Sequence, residues 1–338
     1  MPKILLLILF SFACANSVAQ VGGKHVYSFL NLAHGSRQSA LGGKVITLFD
    51  YDPTAAILNP ASINTEMHNQ IALNYTSYIA DVNYGTVAYA LQIGKSNHVL
   101  HAGVNYINYG TFEGYDSNGN FTNTFTGGDV ALSFGYAYAI PNTSLRIGAN
   151  AKFISSKLEQ YSSFGLAMDL GIMYVAPDSD LRISLAARNI GTQISAYHEI
   201  YESLPFELLL GVSNQLENLP LRWHITLDNM QKWKVGFANP NRAEVGLDGT
   251  EKEESITFID HAFRHVIVGV ELFPESIINL RLGYNFRRGE ELRIEEQRAF
   301  AGLNAGFSIK LNSFRVSYAY AKYSAAASAN YFGLNIEL

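Results

Sequence analysis

The sequence predicts an all-β fold, a 14-stranded antiparallel outer-membrane β-barrel with an N-terminal plug or hatch in its lumen. Three observations support this prediction. The composition is rich in aromatic residues and poor in charge, with 20 Tyr, 20 Phe and 16% charged residues among 338. Apolar and polar residues alternate along many segments. The connections between these segments are alternately short and long.

The composition limits the class of protein. A soluble protein usually carries about a quarter charged residues, so this chain is unusually poor in charge. Beyond the first residues, the sequence has no apolar run of the roughly eighteen residues that a membrane helix needs. Barrel strands instead hide their apolar residues by alternation. The net charge of −5 argues against a nucleic-acid partner.

The first residues have the features of a cleaved signal peptide, which we predict over 1–19. Lys3 supplies a positive charge, residues 4–13 are apolar, and Ser17-Val18-Ala19 places small residues before a cleavage site. Cys14 leaves lipidation as an alternative to simple cleavage, but the residues before it depart from a lipobox. Cys14 is the only cysteine, so cleavage removes any basis for disulfides or thiol chemistry.

Alternation of apolar and polar residues defines the predicted strands. In 145–153, Leu, Ile, Ala, Ala and Phe lie on one face, and Arg, Gly, Asn and Lys lie on the other. Aromatic residues near strand ends, such as Tyr106/Tyr109 and Tyr136/Tyr138, suit interfacial girdles. The predicted strands have the length that a tilted strand needs to span a bilayer. They are 68–78, 81–93, 98–109, 129–140, 143–155, 164–175, 180–190, 205–216, 221–229, 262–272, 276–287, 298–310, 313–323 and 330–338.

The lengths of the connections favour a membrane barrel over a soluble sandwich. Every second connection is tight, as at Pro141-Asn142 and Phe273-Pro274-Glu275. Short periplasmic turns and longer outer loops are the layout of such barrels, whereas a sandwich has no reason to sort its loops. Both chain termini are therefore predicted to lie in the periplasm. The longer connections are mostly those at 110–128, 156–163, 191–204, 230–261, 288–297 and 324–329.

Residues 20–67 are predicted to form the plug or hatch, and residues 68–338 the barrel. Glycine pairs interrupt any strand in the first of these segments. A short helical stretch then runs to Leu58, with Asp52 as its N-cap and Pro53 in its first turn. It stops because Pro disfavours helical geometry in the residue before it. The residues assigned to the plug are Gly42, Gly43, Asp50, Asp52, Pro53, Asn59 and Pro60.

This N-terminal segment resembles a known family. Ser39-Ala40-Leu41-Gly42-Gly43, then Asp50 and Asn59-Pro60-Ala61, is similar to the opening of the fatty-acid-transporter-like (FadL-like) barrels. Fourteen strands is also the FadL-like number. Within these barrels the chain resembles most the PorV/PorQ branch of the Bacteroidetes type IX secretion system. The segments that carry this likeness, over nearly the whole chain, are 20–23, 27–32, 67–70, 73–75, 81–85, 87–89 and 204–207.

The resemblance implies a non-enzymatic component of protein secretion with no cofactor. PorQ-like proteins are associated with the cell-surface attachment complex, which cleaves sorted cargo and joins it to anionic lipopolysaccharide. The implied partners are PorZ, held at the membrane, with the PorU sortase and PorV, besides membrane lipid and lipopolysaccharide. The alternative is a FadL-like transporter of hydrophobic small molecules. Predicted lumen faces rich in Arg, Asn, Gly and Ser fit an acyl chain poorly.

Catalytic and metal-binding patterns are weak in this sequence. His98 and His101 are three apart on a predicted strand, so their side chains point to opposite faces. His261 and His265 would be about 13 Å apart in an extended strand, and only a helical loop would bring them together. The sequence lacks a G-x-S-x-G motif. We therefore predict no enzyme activity and no metal site.

Two features of the predicted barrel leave alternatives open. Arginines on the lumen face share it with Asp169, Glu207, Glu271 and Glu337, either as a structural ion-pair network or as a path for an anionic solute. The network is favoured because a buried unpaired charge costs several kcal/mol. Those arginines are Arg146, Arg182, Arg188, Arg222, Arg281, Arg287 and Arg315.

The longest connection, 230–261, is either a solvated loop or a surface that docks a partner protein. A docking surface is attractive because aromatic anchors carry much of the energy of protein interfaces. The candidate residues are Trp233, Phe237, Glu251, Glu253 and Glu254.

Overall fold

A computed structural model describes residues 25–94, 98–236, 244–245, 251–252, 256–291, 300–324 and 326–338. The predicted signal peptide over 1–19 lies outside the described residues. Within the described part, no helix is both long and apolar enough to cross a membrane.

Fourteen antiparallel strands close into one barrel, which confirms the predicted fold class and strand number. The last strand pairs with the first, and Gln70 lies opposite Glu337. Two further strands of two residues each form a separate hairpin. The strands are β1 (Gln70–Ser77), β2 (Asn83–Gln92), β3 (Val99–Tyr115), β4 (Phe121–Ala139), β5 (Leu145–Leu158), β6 (Tyr161–Val175), β7 (Arg182–Ser195), β8 (Glu207–Gln215), β9 (Leu221–Leu227), β10 (Glu244–Val245), β11 (Glu251–Lys252), β12 (Val266–Leu272), β13 (Ile278–Asn285), β14 (Leu303–Leu311), β15 (Phe314–Lys322) and β16 (Ser328–Glu337).

Side chains alternate between the outer surface of the barrel and its lumen. In β5, Phe153 is 43% exposed on the outer surface, whereas Lys152 beside it is 1% exposed. Tyr106 and Tyr136 also lie on the outer surface, as predicted. Tyr109 was assigned to this surface wrongly, because its hydroxyl points inward and donates a hydrogen bond to Asp129 at 2.6 Å. A closed wall with an apolar exterior satisfies the backbone and suits hydrocarbon.

The connections keep their alternation of length, which defines a periplasmic end with short turns and an outer end. Two of the predicted outer loops are nevertheless mostly strand. β3 and β4 continue as a hairpin to Tyr115 and Phe121, and β5 and β6 are joined by a turn of two residues. Cross-strand aromatic pairs such as Phe112 and Phe125, whose ring centroids are 5.3 Å apart, stabilise the extended hairpin.

Three predicted strands were too long at the outer end. Residues 262–264 belong to a helix (Phe258–Arg264), residues 286–287 begin another (Phe286–Glu291), and β14 starts only at Leu303. The first helix forms because Thr257 and Asp260 make a reciprocal capping box at its start. Alternation alone does not detect such a cap.

Residues 25–67 lie inside the barrel. Their two helices are α1 (Ser36–Ala40) and α2 (Ala55–Leu58), and the outer helices described above are α3 and α4 in chain order. The segment begins at the outer end, where His25 forms a β-bridge with Ser203, and crosses the lumen before β1. The described part of the segment therefore begins at the outer end, unlike the periplasmic position predicted for both termini, because strand parity does not constrain a segment that precedes the first strand. Tight 3₁₀ turns occupy Ser28–Asn31, Pro60–Ser62 and Thr65–Met67.

Glycines on the inner wall allow this segment to pack directly against the strands. A β-carbon on Gly148 would lie 2.4 Å from the carbonyl carbon of Pro60, and one on Gly283 would lie 2.3 Å from the backbone nitrogen of Gly42. Real atoms do not approach so closely, so these positions have room for no side chain. The glycines of the inner faces thus make space for the N-terminal segment.

Candidate functional site

The residues assigned to the plug lie at three places in the N-terminal segment, which are the turn after α1, the turn before α2 and the end of α2. Gly42 and Gly43 follow α1 with φ angles of 101° and 106°, a backbone region that glycine adopts without strain. Asp50 and Asp52 lie in the turn before α2, and Pro53 accepts a hydrogen bond from His101 on its carbonyl oxygen at 3.0 Å. These residues therefore contact both the segment itself and the barrel wall.

The start and end of α2 lie within two residues of the predicted positions. Thr54 occupies the N-cap position without a side-chain cap hydrogen bond, whereas the Asp52 carboxylate accepts the Thr54 N–H at 3.0 Å in the turn that leads into the helix. Asn59 ends the helix in extended geometry with φ −141°, and its side chain accepts the N–H of Ala61. The predicted stop at Asn59-Pro60 is thus confirmed.

Glu271 on β12 is the hub of a buried charge cluster. Its side chain is 0% exposed and accepts two hydrogen bonds from the Arg37 guanidinium, both at 2.9 Å. Arg281 on β13 donates a third at 3.0 Å. Arg222 and His224 on β9 lie 3.7 Å and 3.4 Å from the same carboxylate. This bidentate pairing links α1 to three neighbouring strands of the wall.

Asp50 extends the cluster through the second half of the segment. The Arg37 guanidinium also donates to Asp50 at 2.7 Å, and Arg222 lies 3.8 Å away. Burial disfavours the charged carboxyl, but the attraction of Arg37 outweighs it and lowers the pKa of Asp50 to about 2. The side chains that flank Asp50, Phe49 and Tyr51, lie under Arg146 and Arg315 at 5.0 Å and 4.3 Å.

Two more ion clusters occupy the lumen. Lys44 bridges Glu207 and Asp228, and these carboxylates also bind Arg188 at 3.2 Å and Arg287 at 2.8 Å. On the neighbouring strands β5 and β6, Lys152 binds Asp169 at 2.6 Å. Most of the predicted lumen charges are therefore paired, as the network interpretation expects. The exceptions are Arg146 and Arg315, which lie over aromatic rings of the N-terminal segment, and Glu337, which is exposed at the end of β16.

The sequence analysis missed the cations of the N-terminal segment. Arg37 and Lys44 lie within and just after α1 of this segment, and they bind the acids Glu271 and Glu207 on the wall. A signal existed, since predicted lumen acids need partners and few cations lie between residues 25 and 67. The pairing itself was not predictable, because Arg37 and Glu271 are separated by 234 residues.

One strand of the wall is irregular. The pairing of β6 with β7 shifts register between Met168 and Leu170, and both Arg188 and Asn189 on β7 are buried. Asp169 occupies the irregularity and accepts the backbone N–H of Asn189 at 2.8 Å. The Asn189 side chain donates to the Pro205 carbonyl at 3.0 Å. This part of the wall is therefore lined by charged and amide groups.

The outer end of the barrel carries an exposed group of aromatic and aliphatic side chains. Trp233 stacks on Phe258 with ring centroids 4.5 Å apart. Phe258 and Ile259 on α3 are 71% and 64% exposed, and Phe263 is exposed as well. We call Trp233, Phe258, Ile259 and Phe263 the outer aromatic patch. The amphipathic run from Phe258 to Arg264 was a signal in the sequence that the strand assignment concealed.

The other predicted docking residues are less informative. Phe237, Glu253 and Glu254 lie outside the described residues, and Glu251 is described only as a backbone position in β11, opposite Val245. Trp233 is thus the one member of the predicted set that the described structure places on the outer surface.

The two histidine pairs noted in the sequence make structural hydrogen bonds. His98 lies outside the barrel and His101 inside, as the strand geometry predicts. His265 contacts the carbonyl oxygens of Asp228 and Trp233 at 2.6 Å and 3.0 Å, and so positions the outer aromatic patch. His261 accepts the Gly236 N–H at 3.4 Å. In the described part of the chain, no three His, Cys, Asp or Glu side chains group as a metal site would require.

Cavities that open into the lumen are bordered by polar and apolar groups in nearly equal measure. One of about 320 Å³ at the outer end is bordered by Lys44, Asn285 and Arg287 among others. One of about 910 Å³ at the periplasmic end includes Glu66 and Arg182. The apolar depression of about 590 Å³ lies instead on the outside of the wall.

Comparisons with known proteins agree with this architecture. No protein-family model and no curated protein matches the sequence. The Ralstonia pickettii toluene transporter TbuX superposes with a TM-score of 0.54 at 15% identity, covering 90% of this chain and 98% of that one. The Pseudomonas putida toluene transporter TodX gives 0.53 at 13% identity, covering 90% and 96%. At such low identity the likeness establishes the fold alone, a closed 14-stranded β-barrel of the kind seen in these two transporters.

Proposed function

We propose that this protein is a non-enzymatic outer-membrane component of the type IX secretion system. In this proposal it anchors the attachment complex of PorZ, PorU and PorV at the cell surface. The resemblance of its sequence to the PorV/PorQ branch motivates the proposal. The structural observation that carries it is the occupied lumen, in which Arg37 ties the N-terminal segment to Glu271 on the wall.

A filled, charged lumen suits a platform better than a conduit. The N-terminal segment contacts inner-wall glycines without intervening space, and paired charges surround it. Moving the segment would separate buried ion pairs, which costs several kcal/mol for each uncompensated charge. We therefore assign the function of the protein to its surface at the outer end of the barrel.

The outer aromatic patch is the proposed contact for PorZ. Interface energy concentrates in a few buried aromatic anchors, and exposed aromatics that are already held in position lose little entropy on binding. Trp233 is held by stacking on Phe258 and by the hydrogen bond from His265 to its carbonyl. A rigid apolar surface at the outer end is what an anchor for a surface protein requires.

The double substitution Trp233→Ala and Phe258→Ala should weaken retention of PorZ roughly thirtyfold, since the stacked pair acts as a single hot spot that contributes about 2 kcal/mol. The measurement is the amount of PorZ that co-purifies with the barrel from outer membranes of a Bacteroidetes host. Phe112→Ala with Phe125→Ala is the matched control, because these residues form another stacked pair at the outer end. Equal loss of PorZ in both variants would contradict the assignment of the patch.

The secretion role itself has a separate test. Co-purification that recovers no member of the attachment complex would count against it. So would a deletion strain that still processes and displays sorted cargo at the wild-type level.

Transport of hydrophobic small molecules is the second candidate, favoured by the fold shared with TbuX and TodX. A route through the wall beside the irregularity in β7 would pass Lys152, Asp169 and Glu207, which are buried charges. An apolar solute gains nothing from such a lining. Toluene uptake by cells that express the protein separates the two candidates, and we expect it to equal that of cells without the protein.

A further inference from the structure

The outer wall of the barrel contains an apolar groove. It crosses β2 to β6 and has a volume of about 590 Å³. It exists because Ala102, Ala149 and Ala151 interrupt the belt of large side chains, between Phe134 and Met168. The strand register places Ala102 opposite Phe134, Phe134 opposite Ala151, and Ala151 opposite Met168, so small and large residues alternate around the wall.

The groove lies in the periplasmic half of the membrane-spanning wall. Ala149 is one outward-facing position further from the periplasmic end than Ile147, and Ala151 is two. Each such step is about 7 Å along a strand and about 5 Å in depth for a strand tilted by 45°. The groove therefore lies within the hydrocarbon of the periplasmic leaflet, which is about 15 Å thick.

Polar side chains border the periplasmic end of the groove. His98, at the start of β3, contacts the Tyr136 hydroxyl through Nδ1 at 2.6 Å. Its ring stacks against Tyr136 and Tyr138 with centroid distances of 5.9 Å and 6.4 Å. An imidazole and phenol hydroxyls at this depth are the groups that contact lipid headgroups at a membrane interface.

We propose that the groove binds one acyl chain of a phospholipid of the periplasmic leaflet, whose phosphate lies against His98 and Tyr138. Hydrocarbon chains surround this wall in a membrane, so the occupant is one of them. Lipid tails are as apolar as the groove, and the hydrophobic effect by itself does not select a site. Selection comes from the close packing of a chain between Phe134 and Met168, because an unfilled groove leaves its lining without contacts, and from hydrogen bonds to the phosphate.

Native mass spectrometry tests the site with phosphatidylethanolamine as the probe. The full-length barrel in mild detergent should retain one phospholipid. Ala149→Leu with Ala151→Leu fills the groove and should reduce the retained fraction about tenfold, which corresponds to the loss of roughly ten atom contacts of the acyl chain. His98→Ala should also reduce the retained fraction, because it removes a contact with the lipid headgroup and leaves the groove unchanged.

Ala305→Leu on β14 is the matched control, because it also faces outward, opposite Tyr320, on another part of the wall. Its lipid retention should equal that of the wild type. The shift between heated and unheated bands on a gel shows that each variant is folded. Equal lipid retention in the groove-filling variant and the control would overturn the proposal. So would a wild-type dimer that the groove-filling variant loses, since the occupant would then be a second copy of the chain.

Discussion

Replacing Glu271 with alanine is expected to lower the free energy of unfolding by about 3–5 kcal/mol. The carboxylate is fully buried and accepts hydrogen bonds from Arg37 and Arg281, with Arg222 3.7 Å away. Its removal leaves three guanidinium groups together in the lumen with Asp50 as the remaining nearby acid. Like charges in a site of low dielectric repel, and all three have lost an acidic partner.

The measurement is the urea midpoint of the detergent-solubilised barrel, read from the gel shift of folded and unfolded chains. Glu337→Ala is the control, because this carboxylate is exposed at the end of β16. It should change stability by less than about 0.5 kcal/mol. The urea midpoint of Glu271→Gln should fall between those of Glu271→Ala and Glu337→Ala, since the amide keeps one hydrogen-bond acceptor but loses the charge. Equal midpoints for Glu271→Ala and Glu337→Ala would show that the cluster does not stabilise the barrel.

Replacing Gly148 with leucine is expected to displace the N-terminal segment and to open an ion-conducting path. A β-carbon there would lie 2.4 Å from the backbone of Pro60, and the segment is less firmly held than the hydrogen-bonded wall. The backbone of the segment must therefore move. A barrel of this size has a lumen wider than its side chains fill, so we expect mean conductance to rise by roughly tenfold or more.

Planar-bilayer recordings of purified protein measure this change. Ala305→Leu adds a side chain of the same kind on the outer face and should leave conductance at the wild-type level. The wild type itself should be nearly silent. A folded Gly148→Leu variant that is as silent as the wild type would mean that displacement of the segment at Pro60 does not open the lumen.

Together these substitutions separate two roles of the N-terminal segment. Loss of Glu271 tests which contacts hold the segment in the lumen. Gly148→Leu tests whether the segment blocks the flow of ions through the lumen. If the protein is a platform, neither change should abolish binding of PorZ while the outer aromatic patch stays folded. A transporter would instead lose or gain solute passage in both variants.

The sequence alone was sufficient for the barrel. Strand alternation is a local property with a period of two, so Phe153 outside and Lys152 inside follow from neighbouring residues. The alternation of short and long connections is likewise visible in the sequence without knowledge of distant contacts. The end of α2 at Asn59-Pro60 was predictable because the restriction acts between adjacent residues.

Other features do not follow from strand alternation. The helix from Phe258 to Arg264 begins with the capping box of Thr257 and Asp260, a local signal that the strand assignment concealed. The outer start of the N-terminal segment depends on where His25 meets Ser203. Strand parity carries no information about this contact between His25 and Ser203.

What the sequence by itself determined was the class of fold, the number of strands in the barrel and the face on which most strand side chains lie. Only the tertiary structure decided which charges pair and which alanines adjoin. Arg37 reaches Glu271 across 234 residues, and Ala102 and Ala151 join one groove through Phe134. The physical reason is that pairing and grooves depend on the register between strands and on closure of the barrel, and both are settled by contacts between residues distant in the chain.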